Sequence, residues 1–143
     1  MQTLTTLNQR VPTADLSLRL FVFCGQVADQ NGFEDMAYEY FAMAFTIYEE
    51  AVSDSRAQFQ AVCVIASALH STRNFGKENY DTLITKCALH GSKLLKKPDQ
   101  CRAVYLASHL WWATEIPARN EDDKTVCQCF CHVLALLVCA KSC

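Results

Sequence analysis

Apolar residues recur every three to four positions along most of the chain, and short polar segments separate these stretches. That interval matches the 3.6-residue turn of an α-helix, whereas no segment shows the two-residue alternation of a strand between hairpin turns. The four glycines and three prolines fall mostly between the apolar stretches, where helices begin and end. The pattern therefore predicts an all-α fold of about five to six helices.

Capping residues mark the predicted boundaries of these helices. Asn31-Gly32 predicts the end of the first helix, and Ser53-Asp54-Ser55 offers N-cap residues for the third. The predicted helices begin near positions 15, 33, 54, 77, 99 and 122. Alternate starts lie 39 to 45 residues apart, which is the period of helix pairs in HEAT-like and armadillo-like α-solenoids. An antiparallel bundle with short loops would give the same spacing, so both architectures stay open at this point.

The same periodicity predicts which side chains are buried. In the second helix the expected stripe comprises Met36, Tyr40, Met43, Ala44 and Ile47. In the third helix it comprises Ala61, Val62, Ile65, Ala68 and Leu69. In the fourth it comprises Leu83, Ile84, Cys87, Leu94 and Leu95, and in the fifth Val104, Ala107, Trp111 and Trp112. We expect Lys93, Lys96 and Lys97 in the last turns of the fourth helix, since cations suit its negative end.

Composition narrows the class of protein. The 143 residues are 51% hydrophobic and 20% charged, which is typical of one globular domain. The formal net charge of −2 gives no indication of nucleic-acid binding. Residues 1–54 hold eight acids and two bases, whereas residues 77–102 hold six bases and three acids. Solvated helix faces or a polar docking surface would explain this asymmetry.

No targeting segment is evident. The first ten residues show no apolar run or cleavage pattern, and the apolar stretch at 126–140 is shorter than the roughly 20 residues that cross a bilayer. We therefore expect a cytoplasmic protein.

The sequence contains none of the common catalytic motifs, so we expect neither enzymatic activity nor a cofactor. The nucleophile-elbow, zinc-protease, P-loop and dinucleotide-binding patterns are absent from the sequence. Ser71 follows His70 directly, but adjacent helical residues point about 100° apart and do not face each other. Glu78 and Asp81 share a helix face without a neighbouring signal for a pocket. Catalytic residues are therefore not expected.

The nine cysteines divide into two groups. Four are scattered at helical spacing and are expected to be buried thiols: Cys24, Cys63, Cys87 and Cys101. Five crowd the last 17 residues: Cys127, Cys129, Cys131, Cys139 and Cys143. Cys127, Cys129, Cys131 and His132 are soft metal ligands, but zinc sites prefer pairs two to four residues apart. A metal site, a cysteine-rich apolar helix and a tail foreign to the fold stay open.

Several segments together carry a family resemblance. They are AYEYF at 37–41, AFTIYEE at 44–50, SDSRAQ at 53–58, CAL at 87–89, SKLLKKPDQCRAV at 92–104 and HLWW at 109–112. In this order they resemble the vacuolar protein sorting-associated protein 35 family, the large α-solenoid subunit of retromer, over roughly residues 16–114. The resemblance implies a non-catalytic scaffold in endosome-to-Golgi retrograde and recycling transport of membrane cargo.

The resemblance also implies partners and a location. The C-terminal half of this family holds a subunit with a metallophosphoesterase-like fold, and its N-terminal end holds an arrestin-like subunit, whose site we expect to be absent here. Association with the endosome membrane would be peripheral, through the complex. As protein-interface residues we expect Lys96, Lys97, Asp99, Trp111 and Trp112.

The chain departs from the family pattern in length and in its tail. We expect a solenoid fragment at 1–115 and a divergent cysteine-rich tail at 116–143, as in a partial gene product. Two other functions stay open: a small thiol- or metal-binding helical protein that works through the tail, and a generic helical adaptor.

Overall fold

Five α-helices and one short 3₁₀ helix make up residues 14–112, the part of the chain that the computed structural model describes. They are α1 (Ala14–Gln30), α2 (Glu34–Ala51), α3 (Ser55–Ser71), α4 (Lys77–Ser92), α5 (Lys97–Ser108) and the 3₁₀ helix His109–Trp112. The predicted starts agree with these bounds to within two residues. The predicted sixth helix lies outside the described residues.

The turn after α1 forms because glycine follows asparagine there. Gly32 has a φ of +76°, a left-handed conformation that costs glycine little. The N–H of Phe33 donates to the carbonyl of Ala28 at 3.0 Å, and the N–H of Gly32 donates to that of Asp29 at 2.9 Å. These two bonds are the Schellman pattern that satisfies the last carbonyls of a helix. The predicted stop at Asn31-Gly32 is confirmed.

The helices stack as antiparallel pairs. Helix α1 packs mainly along α2 and next on α3, while α5 packs on α4 and α3. Helices α1, α3 and α5 therefore form one layer, and α2 and α4 form the other. Alternate helices start at 14 and 55, 34 and 77, and 55 and 97, which are 41, 43 and 42 residues apart. Among residues 14–112 the structure confirms an all-α solenoid built from helix pairs.

A carboxylate fixes the second pair on the first. Glu34, in the first turn of α2, accepts hydrogen bonds from the N–H of Gly76 at 2.8 Å and from Nδ2 of Asn79 at 2.7 Å. Both donors belong to the start of α4 or the residue before it. The bond to Gly76 satisfies an N–H that has no partner within its own helix.

The observed buried residues confirm the buried face predicted for α3 and correct the one predicted for α2. All five residues expected to be buried in α3 are buried. In α2 the buried stripe includes Ala37, Phe41, Phe45 and Tyr48 with Ala44 and Ile47, whereas Met36 is exposed. Tyr40 and Met43 are half-buried. The stripe is rotated by about one position, or 100°, because this turns the large Phe41 and Phe45 rings inward.

The junction of α4 and α5 corrects a second prediction. Helix α4 ends at Ser92, so Lys93, Lys96 and Lys97 are not in its last turns. Lys96 is instead the N-cap residue of α5, and Pro98 lies in its first turn, where the fixed φ of proline suits helix initiation. Leu94 is 2% exposed and Leu95 is 80% exposed. Between the helices the chain is not helical, and the two neighbouring side chains face opposite ways.

Within residues 14–112 no helix combines the length and the apolar character that crossing a bilayer requires.

Candidate functional site

The predicted interface residues fall into two groups at opposite ends of α5. Lys96 and Lys97 are exposed at its start, and Asp99 is half-buried beside them. Trp111 follows its end and packs half-buried against the core. Helix α5 has 12 residues, so about 18 Å separates the two groups. Trp112 belongs to the 3₁₀ helix, but its side chain is not among those described.

A positively charged surface surrounds the start of α5. We call it the basic corner, and it comprises the exposed residues Lys93, Leu95, Lys96, Lys97, Pro98 and Arg102. Asp99 is the acid between them, so four cations face one carboxylate over residues 93–102. The sequence signalled this surface through its run of lysines, but placed the lysines within a helix. The structure places Lys93 and Lys96 on the connection between α4 and α5, and Lys97 at the first position of α5.

The outward face of α5 continues from the basic corner. Pro98, Arg102, Tyr105 and His109 are exposed at intervals of four, three and four residues, which places them in one stripe along the helix. Tyr105 is 67% exposed. Its ring meets that of His109 edge to face, with 4.8 Å between the centroids. Sequence reasoning did not identify this stripe, although its spacing was visible.

A polar cluster joins α2 to α4 on the other layer. Oε1 of Glu49 lies 3.1 Å from Nζ of Lys86 and 3.0 Å from Nε2 of His90. The His90 ring stacks on Phe45 at 5.6 Å and meets Tyr48 edge to face at 4.8 Å. Hydrogen bonding to Lys86 lowers the pKa of Glu49. Burial lowers the pKa of His90, although Glu49 acts in the opposite direction. This arrangement stabilises the stack of pairs.

Apolar side chains remain exposed on the first pair. Phe23 and Val27 of α1 line a groove of about 360 Å³ together with Phe33, Met36 and Tyr40. A second groove of about 610 Å³ runs between α1 and α3 and includes Leu16, Leu20 and Cys63. Both are open, apolar and without an arrangement of catalytic groups, which suits packing against another protein element more than binding a small molecule.

The described part of the chain contains no cluster of metal-ligating side chains. In residues 14–112 no three His, Cys, Asp or Glu side chains form a group that would hold a metal ion. Ser71 Oγ accepts a hydrogen bond from Gln26 at 2.7 Å and donates one to the carbonyl of Ala68 at 2.7 Å. The metal candidates Cys127, Cys129, Cys131 and His132 lie outside the described residues, so that hypothesis stays a prediction.

The four scattered cysteines do not share one environment. Cys87 is buried as expected, and burial raises the pKa of its thiol to about 12. Cys24 and Cys63 are half-buried, and Cys101 is exposed. The expectation of four core thiols is therefore wrong for Cys101, which lies on the outer side of α5 next to Arg102. A thiol with so high a pKa is not a nucleophile at neutral pH, so Cys87 acts as a packing residue.

Comparison with known proteins gives one consistent result. A family model described as vacuolar protein sorting-associated protein 35 matches residues 1–138. The Schizosaccharomyces pombe protein of that name is 51% identical over 118 residues, which are 80% of this chain and 14% of that protein. Vacuolar protein sorting-associated protein 35B of Arabidopsis thaliana is 42% identical over 135 residues, which are 94% of this chain and 17% of that protein.

The chain therefore spans only 14 to 17% of the length of these relatives. The family match extends beyond the predicted boundary at 115/116, and the division into two segments stays a prediction.

Proposed function

This chain belongs to the vacuolar protein sorting-associated protein 35 family, and from that premise we propose that it acts as a non-catalytic scaffold segment of the retromer complex. In this role it contributes to endosome-to-Golgi retrograde and recycling transport of membrane cargo by binding partner subunits. Its location is then cytoplasmic and peripheral on the endosome membrane, through the complex. The single observation that carries the proposal is the family match over residues 1–138.

The structure supports a scaffold role in physical terms. Helix pairs that stack on one another expose a long surface relative to their core, and this surface is suited to binding proteins. The open grooves beside α1 and the charged surface at the start of α5 are such surfaces. Contacts with partners are assigned to the two ends of α5, with Lys96, Lys97 and Asp99 at one end and Trp111 and Trp112 at the other.

The proposed partner is the metallophosphoesterase-fold subunit of retromer. A decisive experiment is calorimetric titration of that subunit into the full chain, with the arrestin-like subunit as a matched control. We expect saturable binding of the metallophosphoesterase-fold subunit. We expect no binding of the arrestin-like subunit, whose site lies at the N-terminal end of the proteins of this family. Absence of binding by the metallophosphoesterase-fold subunit, while circular dichroism shows a folded chain, would contradict the proposal.

A further inference from the structure

We draw no further inference here: the strongest candidate, the open apolar groove on the first helix pair that includes the exposed Phe23, Val27, Phe33 and Met36, carries none because nothing in the structure shows what covers it.

Discussion

Asp29 accepts two hydrogen bonds from Asn74 across the junction between the two helix pairs. Oδ1 of Asp29 accepts the backbone N–H of Asn74 at 3.0 Å, and Nδ2 of Asn74 donates to the carbonyl of Asp29 at 2.6 Å. Oδ2 of Asp29 also accepts the N–H of Arg73 at 2.9 Å. Asp29 is buried in the last turn of α1, where the helix dipole disfavours an acid. These N–H donors compensate for that position, so the carboxylate fixes the α3–α4 turn against α1.

Replacement of Asp29 by alanine is expected to destabilise the protein strongly. The substitution removes the buried carboxylate that accepts the part-buried N–H groups of Arg73 and Asn74. A hydrogen bond to a charged group contributes about 1.5–3 kcal/mol. Chemical denaturation should show a loss of at least about 2 kcal/mol. Asp15→Ala on the same helix removes an exposed pair with Arg19 and should cost less than about 1 kcal/mol. Similar losses for both variants would contradict a role for Asp29 in joining the pairs.

Two adjacent leucines at the α4–α5 junction provide a direct test of the fold. Leu94→Ala is expected to cost about 2–5 kcal/mol because it leaves a cavity in the core. Leu95→Ala should change stability by less than about 0.5 kcal/mol, as substitutions at the surface do. Denaturant unfolding of the two variants measures both values. A larger loss of stability for Leu95→Ala than for Leu94→Ala would contradict the burial of Leu94 and the exposure of Leu95.

Gly25 allows α1 to approach α2 closely. A Cβ atom added there would lie 2.9 Å from Cε2 of Phe41, and the Phe41 ring is fully buried. Although alanine favours helix formation by about 1 kcal/mol, overpacking costs about 1–3 kcal/mol, so we expect Gly25→Ala to lower the melting temperature. Phe41→Leu should make the same glycine substitution less harmful. Additive effects of Gly25→Ala and Phe41→Leu on the melting temperature would show that the Phe41 ring is not what makes an added Cβ at position 25 destabilising.

The stability of the stack is expected to fall as the pH decreases below neutrality. Burial lowers the pKa of His90 from its ordinary value of 6.5, so the unfolded chain binds the proton more tightly. The resulting stability is complete above about pH 6.5 and is lost as the pH falls toward the lower pKa of the folded state. Urea unfolding at about pH 7.5 and pH 5.5 should show a larger loss for the wild type than for His90→Gln.

Glu49→Gln provides the control for this pH dependence. Its carboxylate raises the pKa of His90 against the effect of burial, so its removal should lower that pKa further and increase the loss of stability at acid pH. The titration of Glu49 itself does not interfere, because its pKa is lowered from 4.5 and lies below this range. Identical pH profiles for the wild type and both variants would contradict the assignment to His90.

The sequence alone determined the helical elements and the stacking period. Helix boundaries are marked by local signals, which act only on residues close to them in sequence: Asn31-Gly32, Asp54 and Pro98. The starts of the five helices could therefore be predicted. The apolar pattern of α3 also predicted its buried face, because this helix contacts every other described helix. The pattern also predicted the buried Leu83, Ile84 and Cys87 of α4 and Val104 and Ala107 of α5. The lysine run at 93–97 indicated the charged part of the candidate site. These features depend on backbone geometry and short-range capping.

Only the tertiary structure decided which side of α2 is covered and which of Leu94 and Leu95 is buried. Met36 and Phe41 are both apolar, and the pattern of α2 alone cannot show that the helix turns Phe41 toward Gly25 of α1. Leu94 and Leu95 are chemically identical, and their opposite burial follows from the non-helical connection between α4 and α5. The two hydrogen bonds that Asn74 donates to Asp29 join residues 45 positions apart. Such contacts depend on how pairs stack, because a side chain's environment is set by elements distant in sequence.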